Sequence, residues 1–158
     1  MIILGIDPAL THVGWGVIKA SGSSITYLGS GTINTKASEI LPNRLAFISL
    51  EIEKIIEKFQ PNISSMEEVF INMNPQSTLK LSHARGAIMA VIGKYCLELR
   101  EFAPNKIKKT LVGAGRAEKN QVIYMINLLM PNAKITNPDE ADALAAAYAC
   151  YAHTSTVK

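Results

Sequence analysis

The chain has 158 residues, 48% of them hydrophobic and 18% charged, with a formal net charge of +3. This length suits one domain, residues 1–158, with a two- or three-layer core, and is too short for two. The composition is that of a globular protein, and no window reaches the ~18 uninterrupted apolar residues that a membrane span needs.

The N-terminal run "MIILGIDPAL" has no basic region before it and no small-residue cleavage site after it, so no secretory signal is expected. Cys96 and Cys150 both fall in helix-like apolar segments, which predicts buried free thiols and, with the missing signal, a cytoplasmic protein. The small net charge favours no partner by itself. Its distribution says more: residues 100–119 gather Arg100, Lys106, Lys108, Lys109, Arg116 and Lys119 against Glu101 and Glu118, which points weakly to a polyanion contact.

In chain order, "IILGI" predicts a buried central strand closed by Asp7-Pro8. "VGWGVIKA" and "SITYLGSGTIN", separated by the turn cluster "SGSS", predict two more strands in an antiparallel meander. From Ser38 to Phe59 the apolar residues Leu41, Leu45, Ile48, Ile52, Ile55, Ile56 and Phe59 recur at three- and four-residue steps, the pattern of an amphipathic helix. "PNISSMEEVF" reads as a fourth strand, followed by a helix opened by Asn74-Pro75 and running to about Leu97. "ELREFA" is a fifth short strand, "PNKIKKTLV" a helix, "GAGRA" a loop, and Glu118–Met130 and Pro138–His153 the last helices. A meander followed by alternating strands and helices implies an α/β protein with a mixed five-stranded sheet and helices on both faces.

Four acidic positions stand where surface decoration is unusual: Asp7 at the end of a core strand, Glu67 in "SMEEVF", and Asp139 and Asp142 on the last helix. Asp139 and Asp142 are three apart and share a helix face, and the alanines around them permit close approach to a sheet. Other readings stay open: Asp7 before proline also suits a turn, and Asp139 and Glu140 in a first helical turn suit capping and the helix dipole. Strand alternation puts Glu67 and Glu68 on opposite faces without saying which points inward. Taken together, clustered carboxylates repel, raise one another's pKa and call for a cation. Oxygen donors without a His/Cys set point to Mg²⁺ or Mn²⁺ acting on a phosphodiester.

Five blocks occur in order over nearly the whole chain: "LGIDPALTHVGWGVI", "MEEVF", "STLKLSHARG", "VGAGRAEKNQV" and "PDEADALAAA". In these the sequence resembles the RuvC family of crossover junction endodeoxyribonucleases, the bacterial Holliday junction resolvases. The resemblance implies an RNase H-like fold and a homodimer that nicks paired strands of like polarity at four-way DNA junctions in recombination and repair, with a branch-migration complex of the RuvA and RuvB type as a partner. It gives Asp7, Glu67, Asp139 and Asp142 the metal-binding catalytic roles, and places Lys108 and Lys119 near the scissile phosphate. Phe70 becomes the aromatic residue that disturbs stacking at the crossover. Two positions depart from the family pattern: Ala9 stands where glycine is usual, and Met73 where a basic residue is frequent.

The mechanism then expected has one or two Mg²⁺ ions per subunit, with Mn²⁺ substituting, Asp7 bridging, and Lys119 offsetting charge on the phosphate, to give 5′-phosphate and 3′-hydroxyl ends. Lys108, Arg116 and Lys119 would follow the DNA backbone and make binding salt-dependent, whereas Lys106 and Lys109 fit a solvated helix face at least as well. His12, His83 and His153 have no ligand spacing, and Trp15 reads as packing. An actin-like ATPase would share "LGIDPALT" but needs a second domain. A helicase would need a G-x-x-x-x-G-K-[ST] loop that "GAGRAEKN" does not match. A non-catalytic junction binder has no support while all four carboxylates are present.

Overall fold

The protein is described by a computed structural model over residues 1–69 and 75–155. Its central strand is β1 (Ile2–Asp7), and the two sides of that strand are buried against different helices. Ile3 belongs to a core shared with helices α3 (Pro104–Val112), α4 (Lys119–Leu129) and α5 (Pro138–Ser155). Leu4 and Ile6 belong to one shared with α1 (Leu41–Phe59) and α2 (Pro75–Lys94). Burial on both faces explains why the strand reads as a continuous apolar run.

Strands β2 (His12–Ser21) and β3 (Ser24–Asn34) continue from β1 as the expected meander, while β4 (Ile63–Glu67) and β5 (Glu98–Phe102) add parallel to its other edge. The resulting order is β3-β2-β1-β4-β5, a mixed five-stranded sheet with helices on both faces. None of the described helices is long and apolar enough to cross a membrane.

Element ends differ from expectation for local reasons. Helix α1 begins at Leu41 rather than Ser38, with Pro42 in its first turn, where a missing N–H costs nothing. Strand β4 stops at Glu67; the next N–H, from Glu68, still bonds Phe102 O at 2.9 Å. Helix α2 stops at Lys94 instead of about Leu97, and Cys96 just beyond takes a left-handed conformation with φ 51°. That turn carries Cys96 to the surface, against the expectation of a buried thiol, whereas Cys150 is buried on α5.

Candidate active site

Asp7 and Glu67 are the last residues of two neighbouring parallel strands, whose register pairs Ile6 with Met66. Alternation sends Ile3 and therefore Asp7 to the α5 face. Likewise Ser65, whose hydroxyl donates to Ala146 O of α5 at 2.9 Å, fixes Glu67 on that face. This settles the choice left open by the sequence: Glu67 points into the site and Glu68 is exposed. Asp139 and Asp142 come down onto the same strand ends from the first turns of α5.

The helix reaches the sheet so closely because both surfaces are made of small residues. A Cβ on Gly5 would stand 1.9 Å from Ala143 O, one on Gly14 2.1 Å from Asp139 O, and one on Gly16 2.6 Å from Leu144 Cγ. Register places Gly16, Gly5 and Ser65 side by side on β2, β1 and β4, and Gly14 opposite Asp7. The alanines of α5 therefore supply half of the close approach, and the glycines of β1 and β2 the other half.

This convergence has an electrostatic cost. Burial, followed by the charges of Asp142, Glu67 and Asp139 and opposed by Lys119, pushes the Asp7 carboxyl up to about 8. Burial and then Asp142 raise Glu67, against Lys108. Asp142 is also raised, by burial first, with Lys119 and Lys108 opposing. An oxygen-only donor set in which Asp7, Glu67 and Asp142 resist ionisation until positive charge arrives has the chemistry of a hard-cation site. Among the described residues no group of three or more His, Cys, Asp or Glu side chains stands close enough together to hold a metal ion as it is. Two clefts meet at Asp7: one of about 230 Å³ lined by Glu67, Glu68 and Leu81, the other of about 420 Å³ lined by Asp139, His12 and Lys80.

Of the basic residues expected here, Lys119 at the start of α4 acts on Asp7 and Asp142, and Lys108 on α3 acts on Glu67 and Asp142. Arg116 is exposed in the loop between those helices. Phe70 lies outside the described residues, as do Met73 and Asn74. The histidines are dispersed, His12 paired with Asn34 at 2.7 Å and His153 stacked on Phe102.

Three features escaped the sequence reading. Capping of α5 belongs to Asn137, whose Oδ1 accepts from Asp139 N at 2.8 Å. Glu140 is instead an acceptor for Ser30 Oγ of β3 at 2.5 Å, which pins the first turn of α5 to the sheet. Arg85 donates to the main-chain carbonyl of Glu67 at 2.6 Å and pairs with Glu101. Asn137 just before Pro138, the first residue of α5, is the local signal that could have found the cap, but nothing local signals the partners of Glu140 and Arg85, which are far away in sequence.

Residues 3–150 match the family model described as crossover junction endodeoxyribonuclease RuvC. The chain is 52% identical to the protein of that name from Rickettsia felis over 152 residues, 96% of this chain and 97% of the relative. It is 51% identical to that from Rickettsia bellii over 151 residues, 95% and 96% of the two chains. In structure it resembles Thermus thermophilus RuvC in complex with a Holliday junction substrate, with a TM-score of 0.92 at 25% identity over 99% of this chain and 96% of that one.

Proposed function

This chain belongs to the RuvC family of crossover junction endodeoxyribonucleases, and we propose that it resolves four-way DNA junctions through the carboxylate site of Asp7, Glu67, Asp139 and Asp142. It is a DNA-cleaving hydrolase of RNase H-like fold, acting in recombination and repair. The observation that carries the site assignment is the placement of Asp7, Glu67, Asp139 and Asp142 of β1, β4 and α5 at one end of the sheet, where burial and then the neighbouring carboxylates push the Asp7 carboxyl up to about 8. Mg²⁺ is the cation best matched to this set, one or two per subunit, with Mn²⁺ able to replace it. When bound, it supplies Lewis acidity to the phosphodiester and to the attacking water.

The protein's own residues bind, orient and balance charge. Asp7 and Glu67, fixed by strand ends, and Asp139 and Asp142, fixed by one helix face, set where oxygen donors stand relative to the phosphate. Lys119 opposes the negative charge that Asp7 and Asp142 would otherwise accumulate, and is placed to do the same for the phosphate. Lys108 and Arg116 extend positive charge along the DNA path. Phe70, three residues past Glu67 in the sequence, is the candidate for stacking on a base at the junction centre, an interaction of ~1–3 kcal/mol in single-strand binders. Two such sites in a homodimer would cut strands of like polarity and leave 5′-phosphate and 3′-hydroxyl ends. The cellular setting is the cytoplasm, alongside a RuvA and RuvB type branch-migration complex, with residues 1–158 as one nuclease domain.

The test is incubation with a synthetic four-way junction and Mg²⁺, with nicks mapped on all four strands. Symmetric nicks on one opposed pair are expected; cleavage of linear duplex in preference to the junction would overturn the proposal. Lys119→Gln removes the cation that favours ionised Asp7 and Asp142, so their pKa values rise and the acidic limb of the cleavage profile moves to higher pH. Single-turnover cleavage at pH 7 should fall by roughly 10²-fold, whereas Lys109→Gln, on the exposed side of α3, should change it only a few-fold. An unshifted limb in Lys119→Gln would remove this lysine from the site.

A further inference from the structure

Arg85 sits on α2, on the opposite side of the sheet from α5, and is only partly exposed. A guanidinium in such a place is costly unless its N–H groups are paired. One of its nitrogens donates to Glu67 O at 2.6 Å, and another pairs with the carboxylate of Glu101. Glu101 lies on β5 opposite Met66, a residue of the core beneath α1 and α2, so this pair is made behind the active site. The Glu67 carbonyl is where β4 ends: pairing with β1 stops at Met66, and beyond it only the β5 side continues, through Glu68 N to Phe102 O. The main chain of Glu67 is thus held by Arg85, while its carboxylate lies on the other face of the sheet, among the repelling charges of Asp7 and Asp142.

We propose that Arg85 is a positioning residue for the metal site: by bonding the Glu67 carbonyl and Glu101 together, it fixes the strand end from which the Glu67 carboxylate projects. The proposal rests on the reading of Asp7, Glu67, Asp139 and Asp142 as metal ligands. It distinguishes Arg85 from Lys108 and Lys119, which act on carboxylates by charge, because Arg85 reaches the backbone and works by geometry. Outer partners of ligating side chains typically hold metal affinity by about 10- to 100-fold, and the loss expected here is at the lower end because the contact is to the main chain.

The experiment titrates Mn²⁺ into the DNA-free protein by calorimetry for the parent, Arg85→Gln, Arg85→Lys and Asp7→Asn. Thermal melts and junction binding in EDTA are measured on the same samples. Arg85→Gln should bind Mn²⁺ about tenfold more weakly and need a correspondingly higher Mg²⁺ concentration for half-maximal cleavage, with junction binding in EDTA unchanged. Arg85→Lys, which keeps the charge and a donor, should recover part of the loss. If Arg85→Gln does not fold, Arg85→Lys carries the decision. Parent-like Mn²⁺ affinity and Mg²⁺ dependence in a folded Arg85 variant, alongside weakened binding in Asp7→Asn, would overturn the positioning role alone. Parent-like Mn²⁺ affinity in Asp7→Asn would instead overturn the metal-site reading, and this proposal with it.

Discussion

Asp7→Asn should lower junction cleavage by roughly 10³-fold or more, the scale on which loss of a preorganised electrostatic group acts in hydrolytic sites, while leaving junction binding intact. In the same variant the metal-free protein should become more stable, and the two effects have one cause. The Asp7 carboxyl is held at about 8 in the folded chain, against an ordinary value of 3.8. Below the ordinary value both folded and unfolded chains carry the proton, and Asp7 contributes nothing to the pH dependence. Between the two values the unfolded chain has lost a proton that the folded chain keeps, so stability falls as pH rises, and above about 8 the penalty is complete. At about 1.4 kcal/mol per pH unit the ceiling is about 6 kcal/mol, and relaxation around the charge brings the expected gain in Asp7→Asn to a few kcal/mol.

The measurement is a pair of melting curves in EDTA at pH 4, 6 and 8.5. The difference between variant and parent should be near zero at pH 4 and widen to several degrees at pH 8.5, since about 1 kcal/mol moves a chain of this size by about 2–4 °C. Saturating Mg²⁺ should reverse the order, because an ion bound only by the folded parent stabilises it by mass action. A gap that stays constant with pH would show that Asp7 is not strained by its neighbours. Full cleavage by the variant would remove it from the site altogether.

Much of the proposed site was legible in the sequence because its parts are local. Asp7 ends an apolar run, and Asp139 and Asp142 lie three apart on an alanine-rich helix; each pattern is complete within about ten residues. The element order and the mixed sheet were legible for the same reason, since period-two and period-3.6 patterns do not depend on what packs against them. What was not legible depends on pairing across the fold. The choice between Glu67 and Glu68 needs a partner for one face, which Ser65 supplies through Ala146 O. Glu140 looked like part of the cap until Ser30, 110 residues away, occupied it. Arg85 is 18 residues from the carbonyl it holds and reaches it from a different element, α2. Cys96 shows the opposite limit: its segment looked apolar enough to bury, but a left-handed turn at that residue turned it outward.

The glycines of β1 and β2 lead to the second large effect. Gly14→Ala should cost at least about 2–3 kcal/mol of stability and about 10²-fold in cleavage. Its new Cβ would stand 2.1 Å from Asp139 O, a backbone atom in the first turn of α5 that cannot rotate away. Relief therefore requires the start of α5 to lift from β2, which carries Asp139 and Asp142 away from Asp7 and Glu67 together. Gly5→Ala meets Ala143 O at 1.9 Å, one turn further along, and should destabilise at least as much while displacing Asp142 more than Asp139. Gly86→Ala provides the contrast: it lies within α2 with nothing within 4 Å of a new Cβ. There alanine should be neutral or stabilise the helix by about 0.5–1 kcal/mol. Denaturant melts of the three variants, with Mn²⁺ titrations of those that remain folded, separate lost stability from lost geometry. The decisive outcome is Gly14→Ala, folded at low temperature, with weakened Mn²⁺ binding. Parent-like stability and metal affinity in that variant would mean that α5 can retreat without moving its carboxylates, and that the close approach does not position the site.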